Sequence, residues 1–447
     1  MSTITVLGAG YVGLTTAALL SNAGYTVYIV EPNPTRLATI KEGRSFFFEQ
    51  GIDQLISQGL KTNQLIPTDS YAASIPNSSL IFSCVGTPDN PDGSSNLTYV
   101  FSAANESLSL MPEKAIYIQK STVPVGTGQK IIDNFMKERS DITYVSNPEF
   151  LREGTAIFDT LWFDRVVIGS DNPQSAEKVA DVYKDLQSRR DEITTLANIP
   201  SGFEDGQYIT TGLNSAELIK VTSNAFLALK ISFANSIAKL ADTVHADINE
   251  VMSAVGSDAR IGKAFLNAGR GYGGGCFPKD VSGLISSSTS FGVDMEIMKA
   301  AQAVNESMPG YIIEKLQDAI GNLDGKRIAV LGLSFKAGTS DVRKSPGIAL
   351  ANSLKKNGAD VYTYDPQAKE EAANDILNDI YQLDTLAEAV DNADAIIIAT
   401  EWPEIINFVN NTENLSSMNG KTIVDAINRL DKSRFKNSLY TLIGIGR

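Results

Sequence analysis

Short runs of β-branched and apolar residues, each closed by a turn and followed by a segment with helix-like apolar spacing, recur along the chain. Thr3–Leu7 is the first such run, and the apolar segment Leu14 to Asn22 after it ends at Gly24. Thr26–Val30 reads as the second strand. Leu80–Val85, Ala115–Gln119, Ile142–Ser146 and Arg165–Gly169 continue the alternation. Such a rhythm predicts an α/β fold, a parallel sheet with helices on both faces. From Leu213 to Val255 there is neither Gly nor Pro, and Asn214 with Glu217 three residues on has the spacing of a capping box. That stretch predicts a helix of about thirty residues, on the order of 45 Å long, enough to bridge two domains and offer a dimer surface. The strand rhythm then restarts at Lys326–Gly332. Ser345-Pro346 reads as a helix cap, and the run from Gly358 to Asp365-Pro matches the earlier one from Gly24 to Glu31-Pro. Asp394–Ala399, Thr422–Asp425 and Tyr440–Gly444 supply later strands. The pattern predicts two doubly wound parallel-sheet domains, 1–200 and 323–447, joined by a long central helix and helical region, 201–322.

Composition narrows the chemistry. A chain of 447 residues is too long for one ordinary core. A formal net charge of −14 argues against nucleic acid and anionic membrane surfaces as partners. With one histidine, His245, and two cysteines, Cys84 and Cys276, a four-cysteine or two-histidine metal site is impossible, and no metal is expected. No apolar stretch reaches bilayer length and Met1 runs almost directly into a strand, so the expectation is a soluble cytoplasmic protein.

Glycine turns carry the candidate chemistry. Gly8-Ala-Gly10-Tyr11-Val12-Gly13 lies between the first strand and its helix, and Glu31 closes the next strand 18 residues after Gly13. In that context GxGxxG is the fingerprint of a Rossmann-like dinucleotide site: the glycines admit a pyrophosphate to the helix N-terminus and the acid accepts from a ribose diol. Glu31 would repel a 2′-phosphate, which favours NAD over NADP, although Arg36 stands near. Ligands bind beyond the carboxyl ends of such strands, which singles out the turns holding Thr87, Ser121 and Thr122, and Glu149 and Phe150. Cys84, inside an apolar strand, reads as core.

The second cysteine is different. Gly269-Arg-Gly-Tyr-Gly-Gly-Gly-Cys276-Phe-Pro278-Lys279-Asp280 puts a thiol after a glycine run and just before a helix start, with Pro278 of the type favoured at the first helical position. A helix N-terminus and an adjacent lysine favour thiolate. Lys220 and Asn224, four apart on the long helix, share a face and could stabilise an oxyanion near that thiol. The segment Gly332 to Arg343, which lacks GxGxxG but holds Lys336, suits a different phosphorylated ligand. An NAD enzyme gains from a cysteine when it must oxidise an aldehyde as well as an alcohol, because the thiohemiacetal can expel hydride where the aldehyde cannot. The combination points to a primary alcohol taken to a carboxylate. A one-step β-hydroxyacid-type dehydrogenase or a non-catalytic NAD-sensing protein would have no use for the cysteine loop.

The motifs Gly8-x-Gly10-Tyr-Val-Gly13, Gln119-Lys-Ser-Thr122-Val-Pro, Asn147-Pro-Glu149-Phe-Leu-Arg-Glu153-Gly, Glu217-Leu-Ile-Lys220 with Asn224, Arg260-Ile-Gly, Gly273-Gly-Gly-Cys276-Phe-Pro-Lys-Asp280 and Phe335-Lys336-x-Gly-Thr-Ser-Asp-x-Arg343 resemble, in order and over nearly the whole chain, the UDP-glucose/GDP-mannose dehydrogenase family. The resemblance implies an NAD-dependent oxidation of the C6 alcohol of UDP-glucose to UDP-glucuronate, with a UDP-N-acetylhexosamine or GDP-mannose as alternative substrates. It makes Cys276 the nucleophile, Lys220 and Asn224 the stabilisers of the alkoxide and oxyanion, and Asp280, Thr122 and Glu149 the groups that position waters. Gly8, Gly10, Tyr11, Val12, Gly13, Glu31, Arg36, Thr87, Ser121, Glu153, Lys279 and Arg343 fall on cofactor positions. Phe150, Leu151, Phe265, Leu266, Asn267, Gly271, Gly273, Phe335 and Lys336 fall on nucleotide-sugar positions. The resemblance also implies a homodimer through the central helix, with Arg260 reaching the neighbouring subunit's site. One position departs: where many members place a sugar-holding arginine two residues after the aspartate of Val424-Asp425, this chain has Ile427, and Arg429 is the candidate substitute.

Overall fold

Alternate residues of the central strands bury on opposite sides, and this makes each sheet the middle layer of a sandwich. In β1 (Thr3–Leu7), Ile4 and Val6 join one core and Leu7 the other. The computed structural model describes residues 2–202 and 206–447; Met1 and residues 203–205, which fall in the expected segments 1–200 and 201–322, lie outside the described residues. The chain divides into two units, Met1–Ser223 and Asn224–Arg447.

The first unit contains β2 (Thr26–Val30), β3 (Leu65–Thr68), β4 (Leu80–Ser83), β5 (Ile116–Gln119), β6 (Thr143–Ser146), β7 (Arg165–Gly169) and β8 (Gln207–Thr211). Its eight-stranded sheet has the order β3-β2-β1-β4-β5-β6-β7-β8, parallel except where β6 meets β7 through Ser146 and Gly169. The strand order reverses beside β1, so the crevice beyond its carboxyl end is where a ligand belongs.

The second unit repeats the winding with β9 (Arg327–Leu331), β10 (Asp360–Tyr364), β11 (Tyr381–Gln382), β12 (Ala395–Ile398), β13 (Thr422–Asp425) and β14 (Thr441–Gly444). The sheet order is β11-β10-β9-β12-β13-β14, all parallel. Ile328 and Val330 face one core, Ala329 and Leu331 the other. Ser345 caps the Pro346–Lys356 helix, its Oγ accepting from the Gly347 N–H at 3.1 Å.

One expectation holds and one changes. The long helix of the Gly- and Pro-less stretch is Leu213–Val244, 32 residues, and a second helix, Ile248–Gly256, follows it. His245 lies between the two with φ +56° and Asp247 caps the second helix. The Asn214–Glu217 capping box is absent: Asn214 lies inside the long helix, and Glu217 accepts instead from the N–H groups of Gly126 and Gly128 at 2.6 and 2.8 Å. A longer-range pair of donors outcompetes the local one.

Candidate active site

In the first unit, β1 is followed by Gly8, whose φ of +85° turns the chain and whose N–H donates to the Val30 carbonyl at 2.9 Å. A side chain there would stand 3.0 Å from the Cys84 carbonyl, and one on Gly13 would collide with the Gly8 carbonyl. Gly10 caps the Tyr11–Asn22 helix and has no side chain with which to bond the helix's first N–H groups. Glu31, just past β2, is 5 % exposed and accepts from Ala9 N–H at 3.2 Å and Asn33 N–H at 2.9 Å. Each oxygen keeps a lone pair for a ribose hydroxyl. These residues fit NAD: close backbone approach, a helix N-terminus with no side-chain cap and a carboxylate at the end of β2. The Tyr11 hydroxyl is bonded to Glu49 and accepts from Gly154 N–H at 2.5 Å, tying the glycine turn to the segment that bears Glu153. Val12 packs on the core, and Ser121 Oγ donates to the Val85 carbonyl at 2.7 Å. Thr87 and Glu153 are half-buried, and Arg36 is exposed with its guanidinium 4.8 Å from the Phe46 ring.

Beyond β5 and β6 lies a buried polar chain that the sequence did not announce. Lys120 is ion-paired with Glu149 and donates to Tyr183 Oη at 2.8 Å; Tyr183 donates to Asn147 Oδ1 at 2.5 Å. Glu149 Oε1 also accepts from the N–H groups of Phe150 and Leu151 at 2.7 and 3.0 Å. Burial alone would raise the Glu149 pKa, but Lys120 and these N–H groups outweigh it and hold the carboxyl below its usual range. Burial would likewise depress Lys120, and Glu149 with Tyr183 keeps it above the ordinary lysine value. The Phe150 ring lies 4.1 Å from the Arg165 guanidinium and 5.2 Å from Lys220 Nζ, and Lys220 is 6 % exposed. Thr122 and Leu151 are half-buried at the same strand ends.

In the second unit, Cys276 is the exposed N-cap of the Phe277–Ser290 helix, with Pro278 at its second rather than its first position. Its carbonyl accepts from the Asp280 N–H at 2.8 Å. Asp280 is buried and bonded on both sides, to Asn224 Nδ2 at 2.6 Å and to Lys279 Nζ at 2.9 Å. The glycines before the thiol are required by close neighbours. Gly271 and Gly274 have φ of +95° and +84°, and side chains on Gly273 and Gly274 would stand 2.7 Å from Pro346 Cδ and 2.8 Å from the Phe335 ring. One on Gly275 would stand 2.6 Å from Arg343 Nη1. Thus the cysteine loop is laid against the Gly332–Arg343 segment, with Phe335 and Lys336 half-buried. Arg343 pairs with Asp341 at 2.7 Å. Phe265 has φ +65°, Leu266 is buried and Asn267 is exposed. Arg260 projects outward, paired with Asp258 at 2.6 Å, and Arg429 is exposed while Ile427 is half-buried.

Sequence reasoning missed Lys120 and Arg270. Each sits within a motif it used, and the available signal was a basic residue amid apolar or glycine neighbours. Arg270 is 5 % exposed and donates to the Phe335 carbonyl at 2.6 Å. Among the described residues no cluster of side chains could hold a metal ion, and no helix is long and apolar enough to cross a membrane.

A doubly wound unit with a dinucleotide turn, together with a second unit bearing an exposed cysteine on a helix N-terminus, defines an NAD-dependent oxidoreductase. Residues 2–187 match the NAD-binding domain of the UDP-glucose/GDP-mannose dehydrogenase family, 214–307 its central domain and 329–432 its UDP-binding domain. The chain belongs to that family. It is 37 % identical over 408 residues to the UDP-glucose 6-dehydrogenase YwqF of Bacillus subtilis, covering 91 % of this chain and 89 % of the relative. It is 36 % identical over 456 residues to the UDP-glucose 6-dehydrogenase of Rhizobium meliloti, covering 99 % of both. Among solved structures it is similar to a UDP-glucose dehydrogenase from Pyrobaculum islandicum, with TM-score 0.88 and 34 % identity over 100 % of this chain and 98 % of that one. It is also similar to a UDP-D-ManNAc dehydrogenase from Pyrococcus horikoshii, with TM-score 0.85 and 28 % identity over 100 % and 99 %.

Proposed function

We propose that the chain oxidises the C6 primary alcohol of UDP-glucose to the carboxylate in two steps on one cysteine. The observation that carries this is Cys276 itself, exposed at a helix N-terminus with buried Asp280 one turn on. NAD held by Gly8 to Gly13 and Glu31 supplies the hydride acceptor for both oxidations. Lys220 and Asn224 steady the alkoxide of the first oxidation and the oxyanion of the second, and Lys220 can take the first proton. The Cys276 thiolate adds to the aldehyde carbon, and the resulting thiohemiacetal becomes a thioester by loss of hydride. Water then cleaves the carbon–sulfur bond, giving acid and restored thiol. Ionised Glu149, with Thr122 and Asp280, orients that water. Thr87, Ser121, Glu153, Arg36, Lys279 and Arg343 are assigned to the cofactor. Phe150, Leu151, Phe265 to Asn267, Gly271, Gly273, Phe335 and Lys336 are assigned to the nucleotide sugar.

The reading divides the chain into an NAD domain, 1–200, a central domain, 201–322, and a nucleotide-sugar domain, 323–447, in a cytoplasmic homodimer. Supporting the dimer, the long helix leaves Phe226, Phe233 and Leu240 exposed at intervals of seven residues, a stripe suited to a second copy. Arg260, open to solvent, is assigned to the neighbouring site. Ile427 and the likeness to a UDP-D-ManNAc dehydrogenase favour, as a second reading, the same chemistry on a UDP-N-acetylhexosamine.

The test is stoichiometry. Two NADH per UDP-glucose consumed is expected, and one would indicate a simple alcohol dehydrogenase. Cys276→Ser should abolish acid formation while leaving NAD affinity unchanged; full acid production by that variant would overturn the thioester route.

A further inference from the structure

In the second unit the strand order reverses between β9 and β12, so the crevice beyond their carboxyl ends is its natural ligand site. A guanidinium reaches into it from outside the sheet. Arg270 belongs to the glycine run before Cys276, and its backbone N–H donates to the Ala426 carbonyl, just past β13, at 2.7 Å. Its Nη1 and Nη2 donate to the carbonyls of Ser334 and Phe335, just past β9, at 3.4 and 2.6 Å. The nearest carboxylate, Glu401 past β12, is 4.0 Å away and partly exposed. The other acid at hand, Asp365, is occupied by the N–H groups of Leu333, Ser334, Gln367 and Ala368.

Among the described residues the buried cation therefore has one long ion pair, to partly exposed Glu401 at 4.0 Å, and no hydrogen-bonded anion. Burial pulls the Arg270 pKa below the ordinary arginine value in spite of Glu401 and Asp365. Among the described residues only two carbonyls accept from its five side-chain N–H donors. A buried charge is stable only when paired, and a guanidinium's fork matches phosphate oxygens. Half-buried Phe335 and Lys336, one and two residues past Ser334, frame the same crevice.

Resting on the reading of residues 323–447 as the nucleotide-sugar domain, we propose that Arg270, from the central domain, binds the diphosphate of the nucleotide sugar from the strand-reversal crevice. A side chain on Gly269 would stand 3.3 Å from Ile427 Cα, so position 427 borders the loop that carries Arg270, and an arginine placed there could take over the contact.

The experiment is calorimetric titration of the full chain with UDP, alongside uridine as a probe lacking phosphate. Arg270→Met should weaken UDP by roughly thirtyfold or more while leaving uridine binding unchanged, and the added Ile427→Arg change should restore much of the loss. Equal weakening of uridine and UDP would show that Arg270 merely shapes the loop, and an unchanged UDP affinity would overturn the proposal outright. Should Arg270→Met not fold, Arg270→Lys, which keeps charge but loses the fork, must show the same selective loss of UDP. A wild-type chain that fails to bind UDP removes the domain reading and this proposal with it; a wild-type chain that binds UDP as tightly as Arg270→Met removes only the proposal.

Discussion

Lys120 takes a full charge into the core of the first unit, and its partners there form one connected chain. Its ammonium pairs with Glu149 and donates to Tyr183, which donates to Asn147, whose Nδ2 donates to the Val167 carbonyl at 2.9 Å. Cys84 lies in the same interior, its thiol pushed up to about 12, chiefly by burial. That thiol stays protonated at neutral pH, in keeping with the proposal that Cys276 is the nucleophile. Lys120 keeps Glu149 ionised where burial would neutralise it. Because the folded pKa of Glu149 lies below its ordinary value, its stabilisation is present above the usual carboxylate range and is lost as pH falls through the folded value. Lys120→Met should leave a buried carboxylate unpaired, costing about 3 kcal/mol in urea denaturation. It should also move the acidic limb of the kcat profile to higher pH. An unmoved limb would remove Glu149 from the rate-determining chemistry.

The Thr127–Phe135 helix shows how one element completes another. Its N-cap, Gly126, has φ +87° and offers no side-chain acceptor. Glu217 of the long helix fills that role, and burial drives its pKa up to about 7 in spite of the backbone donors. A folded value above the unfolded 4.5 favours the neutral acid. Its contribution is therefore full below pH 4.5 and declines by about 3 kcal/mol as pH rises through 7. Melting of Glu217→Gln against wild type should show a difference that shifts in the variant's favour from pH 5 to pH 8; a constant difference would contradict the buried acid. Glu217 was misread because a capping box is a local pattern, while its real donors lie some ninety residues away. The strands missed by periodicity, β3, β8 and β11, are all sheet edges. An edge is covered less completely, so its sequence need not be an apolar run, and β3 even tolerates Pro67, which lacks an N–H. The interior strands β1, β2, β7 and β13 were legible to their ends because both faces are covered. At the site, the glycine turns were readable since positive φ and close approach demand glycine. Lys120 and Arg270 were not, since a buried charge is defined by partners that only the fold supplies.

The molecule winds two sheets alike and uses them differently. In the first unit, the acid past the second strand, Glu31, accepts among the described residues from two backbone donors, and the turn before it is GxGxxG. In the second, its counterpart Asp365 is saturated: Oδ2 accepts from Leu333 N–H, Ser334 N–H and Ser334 Oγ at 2.8 Å each and from Trp402 Nε1 at 3.2 Å. Its Oδ1 takes the N–H groups of Gln367 and Ala368 at 2.9 Å. A carboxylate has about four lone-pair directions, so nothing remains for a ribose diol. Gly332, at φ +107°, is pressed against Thr400, and Arg270 holds the neighbouring crevice. A single NAD per chain is therefore expected in equilibrium dialysis. Glu31→Ala should weaken NAD by about tenfold, as loss of a charged hydrogen bond implies. Asp365→Asn should destabilise the fold by about 2 kcal/mol through a misplaced amide donor and leave NAD affinity unchanged. Two NAD molecules per chain, or loss of NAD binding in Asp365→Asn, would mean that the second unit has kept a dinucleotide site.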